Sequence, residues 1–337
     1  MVKQINNNNI LVSVICTAYN HEKYIEEAIK GIVSQETNFK YEIIVHDDAS
    51  TDRTADIIRE YEKKYPEIIR PIYQKENQQS IGIDKYKNFI LPISRGKYLA
   101  LCEGDDYWCD CNKLQMQIDF LEKHEEYSSC CTNSLVINDE TGEKSQFNAM
   151  DQDYDISIEE VVCNGGWHIY QISSLVYRKE LAFKRIEEKP PIFGVEKNVG
   201  DYPLRIFLLM NGKTRYFGQK MAVYRAFSSG SWTKAFQAYT EDERAERYKT
   251  LIRLLREVDK YTAERCHDGI EKDINKYEMT IANMTGDFQL YRKALSSPYN
   301  LQSKEIKSKI KILLGEIYGV HWRKQYEKRK RRNEKNM

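Results

Sequence analysis

The chain has 337 residues, 41% hydrophobic and 31% charged, which is ample material for a core and argues against disorder. Lys and Arg number 52 against 51 Asp and Glu, and this net charge of +1 excludes a uniformly basic nucleic-acid binder. No apolar run approaches the ~18–20 residues of a membrane span, and residues 1–9 lack the apolar stretch of a signal peptide, so a cytoplasmic protein is expected.

Ile10–Cys16 is a short β-branched run suited to a buried strand. Glu22–Gln35 follows, with Ile25, Ala28, Ile29, Ile32 and Val33 at helical spacing. Tyr41–Val45 reads as a second strand and ends in His46-Asp47-Asp48. Thr54–Tyr65 reads as a helix that Pro66 closes. Arg70–Tyr73 is a third strand, Asp84–Ser94 a helix despite Pro92, and Tyr98–Cys102 a fourth strand running into Glu103-Gly104-Asp105-Asp106. This alternation predicts an α/β fold with a mostly parallel, Rossmann-like sheet flanked by helices. Ligands of such sheets sit beyond the carboxyl ends of the strands, where Thr17–Asn20, Asp47-Asp48 and Glu103–Asp106 fall.

Further along, strands are expected at Cys130–Ile137, Gln171–Tyr177 and Met221–Arg225, and a helix at Tyr202–Met210. A charged helix is expected over Thr240–Val258, then helix to Val320 with a break near Ser296–Asn300. The domain boundary is placed near residue 236. The eight cysteines include Cys109, Cys111, Cys130 and Cys131, but none of these pairs has the C-x2-C spacing that suits zinc, so reduced thiols are expected.

Asp47 or Asp48, at a strand end, can accept hydrogen bonds from a base or ribose. Ser50 and Asp52 read as caps of the following helix. The three carboxylates Glu103, Asp105 and Asp106 suit Mg2+ or Mn2+, although acidic turns are common without an ion. Asp201 precedes a helix and reads equally as a cap or as a general base facing such a site.

In order, these segments resemble a family. Val14-Ile15-Cys16-Thr17-Ala18-Tyr19-Asn20, Gln35, Asp47–Asp52, Lys87-Asn88, Glu103-Gly104-Asp105-Asp106-Tyr107-Trp108, Lys113-Leu114, Ser173-Ser174, Gly200-Asp201-Tyr202-Pro203-Leu204 and Tyr224-Arg225 are similar to the inverting family 2 glycosyltransferases of the GT-A fold. The resemblance covers about residues 10–236. It implies a catalytic domain over 1–236, with a nucleotide-sugar half at about 10–127 and an acceptor half at about 128–236, followed by a helical region over 237–337. It implies a nucleotide-diphospho-sugar donor, UDP-linked as a family preference, a divalent cation, and inversion at the anomeric carbon.

Carried over residue by residue, the resemblance makes Asp48 the base-binding residue, with Thr17 and Tyr19 in the same pocket. Asp105 takes the metal and ribose site, Asp106 shares the metal, and Glu103 takes the first acidic position of the family's DxD motif. Lys87 approaches the diphosphate, and Asp201 matches the catalytic base. The chemistry agrees: a cation offsets the charge of the leaving diphosphate and a carboxylate deprotonates the acceptor hydroxyl. Two departures stand out. Phe227 occupies the place of a histidine that completes the metal shell in many relatives, and Glu103 replaces the more usual aspartate.

The expected acceptor is a growing surface polysaccharide or glycolipid, lipid-linked in the latter case. Trp108, Trp167 and Trp232 read either as core residues or as platforms for an acceptor sugar. A sugar nucleotidylyltransferase would want a Gly-rich loop near the N-terminus, and Thr17–Lys23 has no glycine. A non-catalytic nucleotide-sugar binder is the other alternative, motivated by Phe227.

Residues 303–337 hold 12 Lys and Arg against 4 Asp and Glu, which leaves 40 basic and 47 acidic residues before them. An amphipathic helix with Ile306, Ile310, Leu313 and Ile317 on one face, followed by Lys328–Arg332, is expected either to pack on the domain or to touch an anionic membrane. Nucleic acid is not an expected partner, because no reading motif accompanies the charge.

Overall fold

The computed structural model describes residues 10–163, 169–195, 201–228, 234, 236 and 238–300. The described residues divide into two compact units, the first spanning 10–161, 169–190 and 201–228, the second including 191–195 and 238–300.

The first unit is built on a ten-stranded sheet. Strand β1 (Ile10–Ala18) pairs in parallel with β2 (Lys40–Asp47) on one side and β4 (Tyr98–Glu103) on the other, while β3 (Ile69–Tyr73) extends the sheet beyond β2. Val12, Val14, Ile15 and Cys16 are buried, as expected for a parallel strand covered on both faces. Beyond β4 the pairing changes. Antiparallel β9 (Val176–Arg178) joins β4 to β6 (Tyr127–Asn138), and β10 (Lys213–Ala226) runs parallel to β6. The short β5 (Tyr107–Trp108) and β8 (Tyr154–Ile156) lie antiparallel to β10, and β7 (Lys144–Gln146) to β6. The parallel arrangement expected from the sequence therefore holds over β3-β2-β1-β4, and the remaining half is mixed.

Helix α1 (Ile25–Val33) buries Ile25, Ala28, Ile29 and Ile32 at helical spacing. Gly31 permits its close approach to β5, since a Cβ there would lie 2.5 Å from the Trp108 carbonyl oxygen. Helix α2 (Thr54–Lys64) buries Ile58 and Tyr61, and α3 (Lys113–Lys123) buries Leu114, Ile118 and Leu121. All of these apolar side chains join one core with the inner strands. The unit also contains the first residues of α4 (Ile158–Cys163), and α5 (Lys179–Glu188) and α6 (Asp201–Met210).

Two expected elements differ. Asp84–Ser94 forms a π turn at Tyr86–Ile90 and a 3-10 turn at Leu91–Ile93 rather than an α-helix, because Pro92 has no N–H to give to the ladder. The strand expected from Gln171 begins only at Val176, since Ile172–Ser174 is a 3-10 turn whose first amide is capped by the Gln171 side chain.

In the second unit, α7 (Glu241–Tyr261) opens with a capping box between Thr240 and Glu243. It packs with α8 (His267–Thr285), where the Tyr248 and Tyr277 rings stack at 5.2 Å. Asn275 of α8 donates to the Ala294 carbonyl of α9 (Phe288–Ser296) at 2.7 Å. No helix among the described residues is long and apolar enough to cross a membrane. The amphipathic helix and basic run expected after residue 303 lie outside the described residues, as do Trp167 and Trp232.

Candidate active site

The carboxyl ends of β1, β2 and β4 lie side by side, with Thr17 opposite His46 on one flank and Glu103 on the other. The loops leaving β1 and β2 are tied to each other. The Asn20 amide donates to Ser50 Oγ at 2.9 Å, the His21 amide to Thr54 Oγ1 at 2.8 Å, and the Glu22 amide to Asp52 Oδ2 at 3.0 Å. In return, the Thr51 amide donates to Asn20 Oδ1 at 2.8 Å and the Arg53 amide to Glu22 Oε2 at 3.1 Å. Ser50 is thus a cross-loop tie and not the expected helix cap, whereas Asp52 also accepts the Thr54 amide at 2.9 Å.

Asp48 is buried, and its two carboxylate oxygens accept the amides of Gln78 at 2.8 Å and Gln79 at 3.1 Å. Its neighbour Asp47 is also buried, but Oδ1 of Asp47 has no hydrogen-bond partner among the described residues. Burial pushes the Asp47 carboxyl above its ordinary range. Tyr19 is exposed beside these loops.

The acidic turn after β4 starts with Gly104, whose amide donates to the Thr17 carbonyl at 2.8 Å. A Cβ at Gly104 would meet the His21 Nδ1 at 2.9 Å, so glycine lets the turn pass beneath that ring. Ligand oxygens of Glu103, Asp105 and Asp106 all lie within 4.8 Å of one another. Three carboxylates at that spacing are the donor set of a hard divalent cation and fit Mg2+ or Mn2+. Desolvation, followed by the charges of Asp201, Asp105 and Asp106, pushes the Glu103 carboxyl well above its usual range. The charge of Asp201, the first residue of α6, thus contributes to raising Glu103 although it lies far away in sequence.

The turn is held from both sides. Ser173 Oγ accepts the Glu103 amide at 3.0 Å and donates to Asp106 Oδ2 at 2.6 Å, while its carbonyl accepts the Trp108 indole N–H at 2.7 Å. From β10, the Arg225 amide donates to Asp106 Oδ1 at 3.0 Å and its guanidinium to the Asp105 carbonyl at 2.7 Å. That guanidinium also pairs with Glu27 and lies between the rings of Tyr24 and Tyr107. Ser228 Oγ donates to Asp105 Oδ2 at 2.8 Å.

A family model described as "Glycosyl transferase family 2" matches residues 13–184. The chain belongs to glycosyltransferase family 2. An uncharacterized protein of Mycobacterium tuberculosis is 35% identical over 226 residues, which is 67% of this chain and 61% of the relative. The chain therefore spans less than two thirds of that relative's length. Among solved structures, S. aureus TarS 1–349 in complex with UDP-GlcNAc superposes with a TM-score of 0.59 at 17% identity, covering 96% of this chain and 92% of that TarS fragment. A mannosyltransferase from Pyrobaculum calidifontis in complex with GDP-Man and Mn2+ superposes with a TM-score of 0.51 at 16% identity, covering 94% and 86%. These likenesses place the chain in the GT-A fold.

The family 2 match spans Thr17, Tyr19, Asp48, Lys87, Glu103, Asp105 and Asp106 and stops before Asp201. Lys87 is exposed, with its amide donating to Asp84 Oδ1 at 3.0 Å. The ammonium whose charge acts on Glu103, His21 and His46 is that of Lys85, which sequence reasoning passed over. It also passed over Ser228 and left Ser173 without a role. Trp108 is buried and hydrogen-bonded, so it belongs to the frame of the site. All eight cysteines are free, and among the described residues the acidic triplet is the one group of potential metal ligands found together.

Proposed function

We propose that this chain is an inverting glycosyltransferase that moves a sugar from a nucleotide-diphospho-sugar, with UDP as the nucleotide, to an acceptor hydroxyl. The observation that carries the reading is the cluster of Glu103, Asp105 and Asp106, whose ligand oxygens lie within 4.8 Å of one another after β4 in a family 2 chain. Asp201, whose charge contributes to the raised pKa of Glu103, is the candidate base beside that cluster.

Asp105 and Asp106 would hold Mn2+ or Mg2+, with Glu103 beside them. Both Asp106 oxygens accept hydrogen bonds, yet a carboxylate retains further lone pairs for an ion. When bound, the cation offsets the charge on the departing diphosphate. Asp201 takes the proton of the acceptor hydroxyl as its oxygen bonds the anomeric carbon. The bond from that carbon to the diphosphate breaks in the same displacement, its electron pair leaving with the nucleoside diphosphate. A single displacement inverts the carbon.

Thr17, Tyr19 and the Asp47–Asp48 pair would surround the nucleotide base. Asp48 shapes the pocket through Gln78 and Gln79, with Asp47 buried beside it. Lys85, or Lys87 beside it, would meet the diphosphate. Residues 1–236 would form the catalytic domain and 237–337 the helical extension. A surface polysaccharide or glycolipid acceptor at the inner face of the membrane agrees with the excess of basic residues after 303.

Incubating the purified chain with Mn2+ and a panel of UDP, GDP and dTDP sugars tests this. Hydrolysis or transfer is expected with one donor class, and Asp201→Asn is expected to slow it at least ~100-fold while donor binding persists. Binding without turnover, unaltered by Asp201→Asn, supports instead the non-catalytic binder that Phe227 motivates. A robust rate in Asp201→Asn removes Asp201 as the base.

A further inference from the structure

Strand β10 ends at Ala226, and the two residues after it reach the acidic turn. The Ala226 carbonyl accepts the Asp139 amide at 2.9 Å, which anchors the strand end. Phe227 then adopts a left-handed backbone with φ of 64°. That region is uncommon for bulky residues, and such strain concentrates where the surroundings impose a function. Immediately after it, Ser228 is buried and its hydroxyl reaches Asp105 Oδ2 at 2.8 Å.

We infer that Ser228 is the positioning residue that sets the Asp105 carboxylate for the cation. The inference rests on the metal-assisted reading above. A hydroxyl donating to Oδ2 fixes the rotation of the carboxylate, so that Oδ1, which accepts no hydrogen bond among the described residues, would be the oxygen offered to an ion. Arg225 holds the backbone of the same residue through its carbonyl, so Asp105 is gripped at main chain and side chain by one strand end. Phe227 cannot ligate a metal. Its left-handed turn delivers the next side chain instead, and β10 then acts on the ion through Asp105. Groups that orient metal ligands typically carry 10–100-fold in affinity.

Titrating the metal-free full chain with MnCl2, read by calorimetry and by the EPR signal of free Mn2+, tests this. Ser228→Ala is expected to weaken Mn2+ binding about tenfold, and Ser228→Thr, which keeps the donor, to hold the parent value. Ser228→Cys, near-isosteric with a weak donor, is expected to match the alanine variant and provides a second route if that variant does not fold. Parent-like affinity in Ser228→Ala, or equal losses in Ser228→Ala and Ser228→Thr, overturns the inference. If the parent binds Mn2+ and Asp105→Asn does not, either result sinks Ser228 alone. A parent that binds no Mn2+ sinks the metal reading and this inference with it.

Discussion

The hydroxyl of Ser173 donates to the carboxylate of Asp106 across 2.6 Å, 67 residues apart in sequence. Both residues are buried, and the same hydroxyl accepts the Glu103 amide. Ser173→Ala therefore leaves a buried carboxyl oxygen and the half-buried Glu103 amide short of a partner. Leaving a buried polar group unsatisfied costs about 1–3 kcal/mol, so a loss of about 2 kcal/mol is expected in urea unfolding. A loss below about 0.5 kcal/mol would show that the 3-10 turn does not hold the acidic turn in place.

Lys113 is fully buried, with its ammonium 4.1 Å from the Trp108 ring centroid and donating to Gln117 Oε1 at 2.7 Å. Burial lowers its pKa to about 8. The unfolded lysine keeps its proton to about 10.4, so between these values the unfolded chain binds more protons and the lysine contribution to stability rises with pH. Below pH 8 the cost of the buried charge is present in full. The stability of Lys113→Met minus that of the parent is therefore expected to fall by about 2–3 kcal/mol from pH 8 to pH 10. Taking the difference removes the cysteines and tyrosines that titrate in the same range. A flat difference would mean that Lys113 keeps an ordinary pKa.

Ala49 holds φ of 63° between the Asp47–Asp48 pair and Ser50. The left-handed region costs a non-glycine residue roughly 1–2 kcal/mol, part of which glycine returns as unfolded-state entropy. Ala49→Gly is expected to raise stability by about 0.5–1 kcal/mol in thermal or urea unfolding. Destabilisation would show that the methyl group contributes packing that outweighs the strain.

The strand ends were legible in the sequence because β1, β2 and β4 are continuous apolar runs that stop at polar residues, and a parallel sheet brings such ends together. Helix α3 was missed because only Lys113-Leu114 drew notice, although Leu114, Ile118 and Leu121 are spaced for one face. Lys85 drew no notice because the motif fixes only the position of Lys87, and the charge of Lys85 on Glu103, His21 and His46 depends on the fold. The contacts of Ser173 and Ser228 with the acidic turn span 67 and 123 residues, and local pattern carries no information at that range. Asp105 and Asp106 could be read as acids, but not which of their oxygens the protein itself would occupy.

The lacing of residues 20–22 to 50–54 has a thermodynamic consequence. Two loops that meet through five cross-linking hydrogen bonds, from Asn20, His21, Glu22, Thr51 and Arg53, hold their shape before any donor arrives. A ligand entering beside them does not have to freeze that part of the chain, so more of its contact energy remains as affinity. Cutting the lace at Asn20 or Asp52 would remove no side chain proposed above to meet a donor, but a ligand would then have to order the loops itself. The expected signature is weaker binding with a less favourable entropy, which separates a loss of preorganisation from a loss of contact.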